Sequence, residues 1–171
     1  MILPGEEPTD EREDGAPIEV LEAYFEAHGW VCERSGEGEI VASAPGSWAQ
    51  YELRGVWRPD DQVLQFLAFP DIKVAPDKVS AIYETLGLIN EQLWLGHFEL
   101  WSGSGLIVFR HAALIEGGEG DGLSFEQAES IVEAGIEECE RFYPVFQFVL
   151  WGGKSPSEAI AAALIDTAGE A

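Results

Sequence analysis

Cysteine is nearly absent from this sequence: Cys32 and Cys139 are the only two in 171 residues. Two thiols make neither a disulfide framework nor a cysteine-based zinc site, so both are expected to pack as small hydrophobes. Basic residues are scarce too. Nine lysines and arginines stand against 32 acidic residues, a net charge of −23 that repels phosphate backbones and anionic membranes and argues against nucleic-acid binding. Long apolar runs are missing. The most membrane-like stretch, Phe142 to Gly153, is twelve residues long and carries Pro144 and Gln147, short of the roughly 20 that cross a bilayer. Met1-Ile2-Leu3-Pro4 runs straight into Glu6, Glu7, Asp10, Glu11, Glu13 and Asp14, unlike the basic start and apolar centre of a signal peptide. The expected location is the cytoplasm.

What is present is material for a core. Hydrophobic residues make up 46% of the chain, and a domain of this size buries about 70% of its unfolded surface. Residues 1 to 16, acidic and without apolar periodicity, are expected to be a disordered lead, and residues 17 to 171 a single domain. The organising stretch is Leu93 to Leu114, where a helical period gives way to an alternating one. Val79, Ile82, Tyr83, Leu86, Ile89 and Leu93 keep helical spacing, with Gly96 as the expected stop. With Ser102-Gly103-Ser104-Gly105 as an even hairpin connection, Phe98, Leu100, Ile107 and Phe109 share one face. His97, Glu99, Trp101, Leu106, Val108 and Arg110 share the other.

Taken in order, Pro17 opens a helix that Gly29 stops; its apolar side is Ile18, Leu21, Tyr24 or Phe25, and His28. Strands follow at Trp30 to Arg34, Glu39 to Ala44, about Ser47 to Trp57 and Val63 to Phe69. Pro76 and Asp77 open the second helix. Ser124 with Gln127 forms a capping box for a long helix with an apolar side from Phe125 to Phe146 and a stripe of glutamates, which Pro144 should kink or end. Ser155 with Glu158 caps a last helix, Pro156 to Asp166, apolar enough to be buried against the body or a second subunit. The expected class is α+β: an antiparallel sheet of about six strands, covered on one face by helices, in the order α-β-β-β-β-α-β-β-α-α.

Candidate chemical motifs do not hold up. Trp151 to Ser155 ends like a phosphate-binding loop, but Phe148 occupies the position that needs glycine. Ser104 between two glycines continues into a strand, unlike a nucleophile elbow. The loop 116 to 121 has too few oxygen ligands in register for calcium. His97 and His111 should point to opposite faces of their hairpin, and His28 belongs to a helix end. No catalytic residue, metal site or cofactor is therefore expected, and an enzyme is the least favoured reading. The outer sheet face is different. Trp48, Arg54, His97, Glu99, Trp101 and Arg110, with Gln50 and Glu52, mix aromatic and charged groups as interfaces do. That face or the last helix is expected to meet a protein partner, a second copy first. The alternative is a small-molecule sensor with a pocket between helix and sheet near Trp30, Trp57 and Arg34.

Three blocks carry a family likeness: Asn90-Glu91-Gln92-Leu93-Trp94-Leu95-Gly96-His97-Phe98-Glu99, Glu138-Cys139-Glu140-Arg141-Phe142-Tyr143-Pro144, and Trp151-Gly152-Gly153-Lys154-Ser155-Pro156. Together they resemble the YbjN family of bacterial sensory transduction regulators over about residues 17 to 171. The resemblance implies a cytoplasmic bacterial protein whose fold is similar to type III secretion chaperones, which are dimeric and bind other proteins. It also implies links to stress response and motility, and it supplies no catalytic motif.

Overall fold

The computed structural model describes residues 16–116 and 122–169, with side chains up to residue 163. The acidic lead, apart from residue 16, and most of the acidic glycine loop 116 to 121 lie outside the described residues. The chain runs α1 (Pro17–Ala27), β1 (Cys32–Arg34), β2 (Glu39–Pro45), β3 (Gln50–Arg58), β4 (Val63–Phe69), a 3₁₀ turn (Pro76–Lys78) into α2 (Val79–Asn90), β5 (His97–Trp101), β6 (Leu106–Leu114), α3 (Phe125–Leu150) and α4 (Pro156–Gly169). The element order agrees with the sequence reading. All neighbouring strands pair antiparallel, in the order β1-β2-β3-β4-β6-β5. The last hairpin is thus inverted, with β6 inside against β4 and β5 at the edge.

Strand alternation divides the sheet. Ile40, Ala42, Tyr51, Leu53, Leu64, Phe66, Phe98, Ile107 and Phe109 point inward and are buried in one continuous core with the helices. Helix α1 packs over β1 to β3, α2 over β5, and α3 over β4 and β6, while α4 packs on α2 and α3. The last helix packs on the body of the protein, with Ala159 and Ala163 buried. Both capping boxes form. Ser124 Oγ accepts from the Gln127 amide while Gln127 Oε1 accepts from the Ser124 amide, and Ser155 and Glu158 repeat the arrangement. Ser155 is therefore the cap of α4, and Trp151 to Lys154 close the end of α3 through bonds to the Gln147 and Phe148 carbonyls.

Strand β1 begins at Cys32 rather than Trp30 and α4 runs to Gly169 rather than Asp166, and three further differences have a physical reason. Helix α2 stops at Asn90 rather than Leu93, because the Asn90 side-chain amide turns back to the start of β5. Its Oδ1 accepts from the Phe98 amide at 2.9 Å and its Nδ2 donates to the Phe98 carbonyl at 3.1 Å. Pro144 does not end α3, which continues to Leu150. The bond lost to the Glu140 carbonyl is offset by burial of Val145, Phe146 and Val149 just beyond it. Strand β3 begins at Gln50, after a turn that α3 holds: Glu140 Oε1 accepts from the Ser47 amide at 2.7 Å.

Candidate functional site

With the helices gathered on one side, the outer face of the sheet carries the candidate residues. Register places them in two adjacent cross-strand rows. Arg54 pairs with Leu67, Leu67 with Arg110, and Arg110 with His97. In the next row Glu52 pairs with Phe69, and Glu99 pairs with Val108. Two arginines thus lie beside two glutamates, and each arginine reaches across its own strand or hairpin. Arg54 meets Glu52 at 2.9 Å, and Arg110 meets Glu99 at 2.9 Å. Arg110 also donates to Gln65 at 3.4 Å.

Glu99 is the centre of this cluster. Its carboxylate pairs with His97 Nε2 at 2.7 Å and accepts from Trp101 Nε1 at 3.0 Å and from Arg110. Partial burial pushes its pKa up, but the hydrogen bonds from His97 and Trp101 and the Arg110 charge outweigh it and hold the carboxyl below its ordinary range. The result is a fixed anion with its donors in place.

Beneath these polar groups lies an apolar seam that sequence reading missed. Leu67 and Phe69 are each 6% exposed and Val108 is 0% exposed, flanked by Val56, Trp101 and Leu106. Flat side chains close over it. The Arg54 guanidinium sits 5.1 Å from the Phe69 ring centre, and the Trp101 ring meets Phe69 edge-on at 5.3 Å. The signal for the seam was the composition of β4, VLQFLAF, apolar at both parities except for Gln65, the mark of a strand buried on both faces.

Trp48 does not belong to this surface. It lies in the turn before β3, where its ring stacks on Tyr143 of α3 at 5.3 Å with 4° between the planes. Alternation counted from Ser47 had placed it on the outer face, but the strand starts three residues later and the turn folds toward the helix. The other expected interface residues, Arg54, His97, Glu99, Trp101 and Arg110, do share the outer face. The three residues of the alternative pocket each have partners of their own. Trp30 stacks on His28 at 4.6 Å, Arg34 reaches Glu22 at 3.1 Å, and Trp57 is packed against the core. Among the described residues, no group of three or more histidines, cysteines or carboxylates could hold a metal ion. Cys139 is buried and Cys32 half-buried, and burial pushes the Cys32 thiol up and the Cys139 thiol far above its ordinary value.

His111 takes the opposite face from His97, as their register requires. Burial depresses its imidazole below the ordinary 6.5, and the neighbouring His97 charge adds to the shift. The folded protein therefore holds the neutral ring, while the unfolded chain takes up a proton first. The stability contributed is complete above pH 6.5 and is lost as pH falls through that value toward the folded pKa. The thermal midpoint is expected to fall on going from neutral pH to about pH 5, and His111→Gln should flatten that slope. An unchanged slope in the variant would remove His111 as its cause.

Residues 17–148 match the model of a protein family, YbjN, described as "Putative bacterial sensory transduction regulator". The chain belongs to the YbjN family. The match ends at residue 148, short of the expected residue 171, so α4 lies beyond the matched span. Among solved structures, the crystal structure of YbjN from E. coli, described as "a putative transcription regulator", is similar to this YbjN-family chain in fold. Its TM-score is 0.52 at 14% sequence identity, covering 74% of this chain and 90% of that one. Comparison with curated proteins gives no match. The family description is one of regulation rather than of a reaction. Among the described residues, no helix of this YbjN protein is long and apolar enough to cross a membrane.

Proposed function

We propose that this protein is a non-enzymatic regulatory or chaperone-like module of the bacterial cytoplasm that works by binding protein, and that its first partner is a second copy of itself. The observation that carries this reading is the ordered aromatic and ionic array on the sheet face opposite the helices. Glu99 holds His97, Trp101 and Arg110 in one arrangement, so little side-chain freedom remains to be lost on association. Tryptophan and arginine over a desolvated seam are the residue types that dominate measured interfaces. A place in stress response and motility control rests on the family resemblance alone.

Sedimentation equilibrium of the full chain tests the first step. A dimer is expected at micromolar concentration. Trp101→Ala should weaken it by about 30-fold, as loss of a central interface tryptophan typically does. A monomer throughout, or a dimer indifferent to both Trp101→Ala and Arg110→Ala, would take self-association through this face out of the reading.

A further inference from the structure

Strand β6 places Phe109, His111 and Ala113 in succession on the inner face, and Ile115 follows. Across the sheet, Ala113 pairs with Leu64, which pairs with Trp57. The small alanine at the end of a row of large side chains leaves space beneath the first turns of α3. A cleft of about 310 Å³ fills that space, walled by Ala113, Ile115, Leu123 and Ile131, with His111, Ser130 and Glu126 supplying its polar groups. Leu123 and Ile115 are buried, while Leu114, also in the lining, is exposed.

Two features decide what such a space would accept. Among the described residues the His111 ring makes no hydrogen bond, so its donor and acceptor nitrogens have no partner among them. The lining contains one carboxylate, Glu126, and no lysine or arginine, in a chain of net charge −23. An anion would meet repulsion without a counter-charge. An ammonium group would find acceptors in the imidazole, the Ser130 hydroxyl and the carboxylate. We propose that this cleft binds a small amphiphilic amine, its apolar body against Ala113, Leu123 and Ile131 and its ammonium at His111 and Glu126.

The volume lies at the lower end of the range of about 300–1,000 Å³ typical of small-molecule sites, so the ligand is compact. The site lies between β6 and α3, on the side of the sheet opposite the outer-face residues.

The probe is 2-phenylethylamine, titrated to low millimolar concentration into the full-length protein at neutral pH. The His111 ring and the isoleucine methyl groups are followed by NMR, with phenylacetate and 2-phenylethanol as anionic and neutral controls. A saturable shift at His111, Ile115 and Ile131 with the amine is expected. Phenylacetate should give none, and 2-phenylethanol should bind more weakly. His111→Leu should weaken the amine about tenfold and hardly affect the alcohol. Ala113→Leu should fill the cleft and abolish the shifts; if that variant is unfolded, Ile131→Trp serves the same end. No saturable shift with the amine, shifts that survive in the filled variant, or phenylacetate binding as tightly as the amine would overturn the proposal.

Discussion

Phe109→Ala is expected to lower the unfolding free energy by about 3–5 kcal/mol, the largest loss foreseen for any single side chain here. Phe109 sits at the junction of every layer that meets the last hairpin. It is fully buried, and its ring packs edge-on against Phe98 at 5.4 Å. Phe98 in turn meets Phe142 at 6.0 Å and Phe146 at 5.6 Å, both from α3. On the far side, Gly135 of α3 lies so close that a Cβ there would stand 3.3 Å from the Phe109 ring and 2.5 Å from Phe66. Helix and sheet approach through that glycine, so truncating the ring leaves a gap that two rigid elements cannot close. Chemical denaturation should show the loss with little change in denaturant dependence, and the thermal midpoint should fall by on the order of 10 °C. A cost under about 1 kcal/mol would mean that the core repacks there and that the hairpin is not its junction.

Gly96→Ala is the second large effect, at about 2–4 kcal/mol, combining left-handed backbone strain with overpacking. Gly96 turns the chain from α2 into β5 with φ of +72°, and a Cβ on it would lie 2.4 Å from Phe109 Cζ and 2.9 Å from the Arg110 carbonyl oxygen. Neither neighbour yields readily, since one is a buried ring and the other is backbone in a ladder. The two predictions are coupled. In a Phe109→Leu background the ring contact disappears while the backbone strain and the carbonyl contact remain. Gly96→Ala should therefore cost less there than in the parent, by about 1 kcal/mol or more in a double-mutant cycle. Strict additivity would place the whole cost in the backbone and none in the ring.

Both predictions concern residues that sequence reading had already singled out, Phe109 as an inward position and Gly96 as a turn. The alternation in HFELW and LIVFRHAAL, joined by an even loop, was enough to assign the faces, and the observed pairing of Trp101 with Leu106 is the register this implies. The opposite placement of His97 and His111 followed by the same parity. Helix starts were legible because capping is local: Ser124 and Ser155 bond to groups within a few residues of themselves. The outer-face set survives with one loss. Trp48 stands outside the strand that parity assumed, held by a contact with Tyr143, which is 95 residues away along the chain.

The amino-acid sequence by itself determined the element order, the inward and outward faces of the β5–β6 hairpin and the caps of α3 and α4, because all of these depend on side-chain period and on bonds spanning a few residues. Only the tertiary structure decided that β6 lies between β4 and β5, that α3 runs through Pro144, that an apolar seam underlies the outer arginines, and that a cleft opens beside His111. Each depends on which distant surfaces meet, and burial between remote segments overrides local preference.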